Sequence, residues 1–92
     1  MKYLLKLSDQ TELDLAKLRK SGNKQVIKKL NALLDELRDH PETGTGKPER
    51  LKHEYAGKWS RHISDKHRLI YEIFEQIVTV EVLSAYSHYG DK

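Results

Sequence analysis

The sequence contains no cysteine, and its apolar runs are short, so several classes of protein are excluded at once. Without cysteine there is no disulfide framework, no thiol nucleophile and no cysteine-based zinc site, which fits a reducing cytoplasm. The longest apolar segment, 77–83, is interrupted by Thr79 and Glu81, whereas a bilayer span needs roughly 20 apolar residues. The apolar pair Leu4-Leu5 is far shorter than the stretch of about 7 to 15 residues in a signal peptide. We therefore expect a cytoplasmic protein with no membrane span and no export signal.

The chain is short, and its length predicts a single domain over residues 1–92. A chain of this size buries somewhat more than about 60% of its unfolded surface, enough for one core but not for a deep, enclosed cavity. Any active site is therefore expected to be an open groove. The five histidines lack the His-x-x-x-His spacing of a helical metal site and have no cysteine beside them, so we predict no metal site and no cofactor.

The net charge of +3 is unevenly distributed along the sequence. Segment 47–68 carries seven Lys or Arg against three acidic residues, together with three of the five histidines and the only tryptophan. This concentration predicts a surface that binds phosphate. The alternative is a solvated basic surface that needs no ligand.

The first part of the chain is typical of one strand and two helices. A short strand is expected over 2–7, and Asp9, followed by Glu12, is expected to cap a first helix that ends at Gly22. A second helix is indicated by an apolar stripe of helical period and should stop before Pro41. The apolar positions are Leu13, Ala16 and Leu18 in the first helix, and Val26, Ile27, Leu30, Leu33, Leu34 and Leu37 in the second.

After Pro48 the apolar period changes to two, which predicts strands. They are expected over 50–63, in an irregular form, and then over 67–74 and 77–86. The simplest architecture is an α+β layer fold of order β-α-α-β-β-β, with two antiparallel helices on one side of the sheet. The three later strands form an antiparallel meander that takes the first strand into its sheet.

Several polar residues lie where the apolar pattern does not require them, at the ends of predicted strands. Glu49, Lys52, Arg68 and His88 are the main ones, and a meander can bring such ends into one groove. A carboxylate, a guanidinium and an imidazole around one phosphate are sufficient to cut RNA without a metal ion. The carboxylate takes the proton of the 2′-hydroxyl, the guanidinium holds the charge that builds on the phosphate, and the imidazolium protonates the departing 5′-oxygen.

Each of these residues also has a simpler explanation. Glu49 alone would be a surface acid after a turn proline, and Arg68 a charge that protects an edge strand from aggregation. His88 and Tyr89 could belong to a terminal tail. Trp59 is expected to be structural.

Four motifs give the chain a resemblance to a known family. They are Gly46-Lys47-Pro48-Glu49-x-Leu51-Lys52-His53, Gly57-x-Trp59-Ser60-Arg61-x-Ile63, His67-Arg68-Leu69-Ile70-Tyr71 and His88-Tyr89. In order and spacing they resemble the YoeB/Txe toxins, which belong to the RelE-like toxins of type II toxin-antitoxin systems. The resemblance implies a RelE-like fold and a small bacterial endoribonuclease that cuts messenger RNA in the ribosomal A site, which inhibits translation. It also implies a YefM-type antitoxin that holds the toxin inactive. A homodimer is possible, but the resemblance does not decide the oligomeric state.

The resemblance assigns roles to individual residues. Glu49 would be the general base, Arg68 the stabiliser of the transition state and His88 the general acid. Tyr89 would stack on a base or orient the leaving group, and Lys52 would support the phosphate.

Further implied contacts, and the departures from the family pattern, concern the neighbouring residues. Lys47 and Arg61 would contact ribosomal RNA or the messenger backbone, with a plain surface role as the alternative for each. Arg50 stands where the family usually has proline, and His62 stands where it has a second arginine. The sequence also continues over 90–92 past the customary His-Tyr end.

Two hypotheses from other classes stay open. One is a noncatalytic toxin of the same fold that inhibits a target such as DNA gyrase by binding it. The other is an RNA-binding domain whose segment 47–68 follows phosphates without cutting.

Overall fold

The computed structural model describes residues 2–86 and begins with one strand and two helices. Strand β1 is Leu4–Leu7, helix α1 is Asp9–Lys20 and helix α2 is Lys24–Asp39. Four strands follow: β2 (Glu49–Arg50), β3 (Trp59–His62), β4 (Arg68–Phe74) and β5 (Thr79–Ser84). The α+β fold class is confirmed, with one strand more than the sequence predicted. Among residues 2–86, none of the helices is long and apolar enough to cross a bilayer.

The strands form one five-stranded sheet in the order β1-β5-β4-β3-β2. Strands β2 to β5 pair in antiparallel fashion, as expected for a meander. Strand β1 is parallel to β5, with Leu4 opposite Thr79. Parallel neighbours need a long crossover, which the helices and the meander provide here.

The extra strand arises because the segment predicted as one irregular strand over 50–63 reverses direction. A short 3₁₀ turn, His53–Tyr55, separates β2 from β3, and the backbone of Gly57 has a φ of 91° that favours glycine. The Leu51 amide then donates to the Lys58 carbonyl at 2.9 Å, which closes the hairpin. Glu49 consequently pairs with Ser60 rather than lying far from it along one strand.

Two other predicted boundaries are wrong by one or two residues. The N-cap of α1 is Ser8, whose hydroxyl accepts from the Thr11 amide, so Asp9 is already the first helical residue. Strand β5 begins at Thr79 rather than at residue 77, because Glu75–Ile77 forms a 3₁₀ turn.

The core lies between the two helices and one face of the sheet. Its buried apolar residues are Leu15, Leu18, Leu30, Leu33, Leu37, Ile63, Leu69, Tyr71, Val80, Val82 and Ala85. The stripe of α2 is confirmed through Leu30, Leu33 and Leu37, whereas Leu13 of α1 points to solvent with 61% of its surface exposed. Helix α1 buries Thr11 and Asp14 instead, so its inner face is partly polar.

These polar groups attach α1 to strand β5. The Thr11 hydroxyl donates to the Val82 carbonyl at 2.7 Å, and the Ser8 hydroxyl donates to the Leu83 carbonyl at 2.9 Å. The Ala85 amide, which is buried, donates to the Asp14 carboxylate at 3.0 Å. Helix α1 therefore fixes the position at which β5 ends.

We expect Asp14→Ala to lower the free energy of unfolding by about 1 to 3 kcal/mol, because it leaves the buried amide of Ala85 without an acceptor. Urea unfolding followed by circular dichroism measures the change. Asp35→Ala, on the exposed face of α2, is the matched control and should change stability by no more than about 0.5 kcal/mol. Equal effects of the two substitutions would contradict the assigned contact.

Candidate active site

The register of the sheet brings Glu49 and Arg68 to the same face. Glu49 is opposite Ser60 on β3, and two positions further along β3, His62 is opposite Arg68 on β4. Directly paired residues project to the same side of a sheet, and so do residues two apart on a strand. Leu69, next to Arg68, lies in the core, so Glu49, His62 and Arg68 share the face turned away from the helices.

His62 lies within electrostatic reach of several charged groups. Partial burial lowers the pKa of its imidazole, and the positive charges of Arg68, Lys47 and Lys29 lower it further. Among residues 2–86, Glu49 acts in the opposite direction. This part of the face therefore carries an excess of positive charge, which suits an anionic ligand.

Glu49 and Lys52 line an open groove. The groove is formed by residues 49–53, has a volume of about 490 Å³ and opens widely to solvent. Both side chains are exposed, whereas Arg68 is partly buried with its Nε atom shielded from solvent. An exposed carboxylate and a partly buried guanidinium on one face are suited to chemistry at a phosphate that binds along the surface.

Lys47 lies on the loop that leads into β2. Its side chain is exposed and its backbone has a φ of 53°, in the left-handed region. The preceding Gly46 fixes the loop, because its carbonyl accepts from the His62 amide at 2.7 Å. Lys47 is thereby placed beside the end of β3, as a phosphate contact would require.

Arg61 does not lie on this surface, and the expected contact with RNA is wrong. Its side chain is fully buried on the core face of the sheet, where it pairs with Leu69 of β4. Strict alternation predicts this placement, because Arg61 is two residues from Trp59 and from Ile63 and must share their face. The positive charge of Arg61 indicates a surface residue, whereas its position in the strand places it on the core face.

Inside the protein, Arg61 holds together the segment that precedes β2. Its guanidinium donates to Tyr71 Oη at 3.1 Å, to Glu36 Oε1 at 3.0 Å and to the carbonyl oxygens of Thr43 at 2.7 Å and Thr45 at 3.3 Å. It also donates to the His40 carbonyl.

The partners of Arg61 are themselves held in place. Partial burial raises the pKa of Glu36, but hydrogen bonds with Thr45 and the charge of Arg61 outweigh it, so the pKa is lowered. Burial raises the pKa of Tyr71, and the hydrogen bond and charge of Arg61 offset this rise only in part. The Tyr71 hydroxyl donates to the Pro41 carbonyl at 2.7 Å. The loop that carries Glu49 is therefore tied to the core.

His88 and Tyr89 lie outside the described residues, so their predicted roles stay predictions. Strand β5, which leads toward them, ends beside the start of β4, where Ser84 pairs with Ile70. The Tyr86 ring lies 4.4 Å from the His67 ring, between ring centres, and the Lys17 ammonium lies 5.1 Å from the Tyr86 ring centre. Strand β5 therefore ends opposite Ile70, which is two positions along β4 from Arg68.

Nothing in residues 2–86 resembles a metal centre, since no three His, Asp or Glu side chains are placed to share an ion. His62 is the residue that sequence reasoning missed. Its signal was its position opposite Arg68 on the polar side of β3, where the family pattern has an arginine.

Comparison with known proteins identifies the family of this chain. Residues 9–89 match the family described as YoeB-like toxin of bacterial type II toxin-antitoxin system. The chain belongs to this family of toxins. Toxin YoeB of Escherichia coli strain K12 is 41% identical to it over 58 residues, which are 63% of this chain and 69% of that protein.

Solved structures of YoeB proteins share the fold described above. The YoeB/ParE toxin from Agrobacterium tumefaciens has a TM-score of 0.85 and 30% identity, over 94% of this chain and 99% of that one. A YoeB dimer from Staphylococcus aureus has a TM-score of 0.77 and 32% identity, over 97% of this chain and all of that one. The Staphylococcus aureus YoeB-YefM complex matches with a TM-score of 0.75 and 33% identity, over the same shares of the two chains. The RelE-like fold predicted for this YoeB-family chain is confirmed.

Proposed function

We propose that this toxin is a ribosome-dependent endoribonuclease that cleaves messenger RNA in the A site and so inhibits translation. The observation that carries the proposal is the common face of Glu49 and Arg68, set by the pairing of β2, β3 and β4. A carboxylate and a guanidinium on one open, positively charged surface suit attack by a ribose hydroxyl on a backbone phosphate.

In the proposed reaction one proton passes from the 2′-hydroxyl to Glu49 and one passes from His88 to the departing 5′-oxygen, and the first step needs no water. Glu49 takes the proton from the 2′-hydroxyl, whose oxygen bonds to the adjacent phosphorus while the bond from phosphorus to the 5′-oxygen breaks. Arg68 holds the charge on the phosphate oxygens, and Lys52 supports it. His88 protonates the departing oxygen and Tyr89 orients it or stacks on a base, as the family resemblance implies. The products are a 2′,3′-cyclic phosphate and a 5′-hydroxyl.

The proposed partners follow from the relatives. The Staphylococcus aureus YoeB protein is described both in a complex with YefM and as a dimer, so we infer a YefM-type antitoxin and a homodimer for this chain. The ribosome and its messenger are the proposed targets, with Lys47 as a contact to an RNA backbone. We also infer that residues 1–92 act as one domain, because both helices and the sheet contribute to a single core. A cytoplasmic location is inferred from the proposed target, the ribosome.

The test is toeprinting of a defined messenger on purified bacterial ribosomes, with the same messenger free in solution as a comparison. We expect wild type to cut at the A-site codon, and Glu49→Gln to lower the single-turnover rate by about 10²- to 10⁴-fold, since it removes a general base. Glu12→Gln, on the exposed face of α1, is the matched control and should cut at the wild-type rate.

The ends of the fragments give an independent check. Fragments with 5′-phosphate ends would contradict attack by the 2′-hydroxyl. An intact messenger together with growth arrest on expression would favour the noncatalytic toxin that binds its target.

A further inference from the structure

A basic cleft lies beside the candidate active site, between α2, the loop before β2 and the end of β3. Its volume is about 340 Å³. The residues around it are Lys29, Gly46, Lys47, His62, Ser64 and Asp65. Three of these residues are basic and one is acidic, so the cleft is suited to an anion.

The cleft is built by a close approach of two backbones. The Gly46 carbonyl accepts from the His62 amide, and Gly46 has a φ of 84°. A Cβ atom at this position would come within 2.9 Å of the His62 carbonyl oxygen. Only glycine therefore lets the loop lie against β3. This contact fixes the start of Lys47 next to His62, with Lys29 on the α2 side of the cleft.

His62 is the one group in this cleft whose charge can change near neutral pH. Arg68 from β4, Lys47 from the loop and Lys29 from α2 all disfavour its protonated form, whereas Glu49 from β2 favours it. Asp65, on the turn after β3, is the acid at the rim. A bound anion would add negative charge among these cations and would favour the imidazolium, in which both ring nitrogens carry a proton, so that whichever nitrogen faces the anion can donate to it.

We propose that this cleft binds a backbone phosphate of the RNA next to the one held by Arg68, and that His62 takes up a proton from solvent as that phosphate binds. The proposal rests on the proposed function, because it takes RNA as the ligand. His62 and Arg68 are opposite each other on strands spaced about 4.8 Å apart, so the two phosphates are near neighbours along one strand of RNA. His62, Lys47 and Lys29 would act in positioning the substrate rather than in the chemical step.

The test reads the imidazole of His62 directly. Histidine side chains of the full chain are labelled with ¹⁵N and titrated by NMR, with and without a 2′-O-methyl oligoribonucleotide, which cannot be cleaved because its attacking hydroxyl is blocked. The resonance of His62 is identified by its loss in His62→Gln. We expect the oligonucleotide to raise the titration midpoint of His62 by about one unit or more. The affinity for the oligonucleotide should then fall as the pH increases from the midpoint of the free protein to that of the complex. The total loss should be about tenfold for each unit that separates the two midpoints.

Variants separate this site from general attraction to RNA. His62→Arg should bind the oligonucleotide as tightly at pH 8 as wild type does at low pH, since arginine stays charged. Its affinity should also lack the change with pH that the titration of His62 causes in wild type. Lys29→Ala and Lys47→Ala should each weaken binding and reduce the salt dependence by about one counterion. Lys6→Ala, an exposed lysine on β1 at the opposite edge of the sheet, is the matched control and should have little effect.

The outcomes distinguish this inference from the proposed function. An unchanged midpoint for His62, with oligonucleotide binding still lost in Arg68→Ala, would overturn the inference alone. A raised midpoint without cleavage of ribosome-bound messenger would overturn the proposed function alone. An equal rise with the same concentration of inorganic phosphate, or a larger one with a polyglutamate peptide, would overturn the assignment to RNA.

Discussion

Arg68→Ala is expected to lower the single-turnover rate of messenger cleavage by about 10²- to 10³-fold, the range found when one donor to a developing negative charge is removed. Arg68 begins β4 and is partly buried, with its Nε shielded from solvent, so part of its guanidinium is already desolvated before substrate binds. A preorganised charge contributes more than a mobile one, since the site does not have to reorganise during the reaction.

The geometry of the guanidinium can be separated from its charge. Arg68→Lys keeps the charge but loses bidentate hydrogen bonding, so its rate should fall between those of wild type and Arg68→Ala. Arg19→Ala, at an exposed position on α1, should leave the rate unchanged. Circular dichroism checks that each variant is folded. A rate for folded Arg68→Ala within about threefold of wild type would remove Arg68 from the proposed mechanism.

Arg61→Met is expected to have the largest effect on stability, a loss of about 3 to 5 kcal/mol in the free energy of unfolding. The substitution leaves Glu36 without its ion-pair partner and the Thr43 and Thr45 carbonyls without a donor. It should also slow cleavage, because the loop that leads to Glu49 loses its attachment to the core. Urea unfolding measures the first effect, and the ribosome assay measures the second.

The cause of that loss can be tested with a second substitution. Arg61→Met combined with Glu36→Gln should recover part of the stability, since the unpaired carboxylate is then removed. Arg38→Met, on the exposed face of α2, is the matched control and should change stability by no more than about 0.5 kcal/mol. A loss below about 1 kcal/mol for Arg61→Met would show that the network is not structural.

The helices and the central strand were predictable because each has a clear apolar period. The stripe that ends at Leu37 and the alternation of Leu69 with Tyr71 both place their residues in the core. The hairpin between β2 and β3 was missed, because the left-handed backbone of His53 has no signature in the residue type, and one glycine at Gly57 does not by itself mark a turn. Sequence periodicity predicts regular helices and strands, but it says little about the turns and loops between them.

The candidate site was predictable only in part. Strand-end reasoning placed Glu49 and Arg68 in one groove, but the register that puts them on one face depends on the unpredicted hairpin. Arg61 was not predictable from its charge, because a positive charge in a basic segment is typical of the surface, whereas the partners that bury it come from distant segments. His62 was noted only as a departure from a pattern, and its importance follows from the strand opposite it.

The parallel pairing of β1 with β5 also bears on how the protein is made. Leu4 is opposite Thr79, so partners that are 75 residues apart in sequence (79 minus 4) must meet before the sheet is complete. Pairing over such a separation is slow, because the entropy of closing the intervening loop is lost before the contact is gained. During synthesis, β1 emerges first and has no strand to pair with until β5 has been made. A complete sheet therefore exists only after the ribosome has made the chain as far as the end of β5 at Ser84.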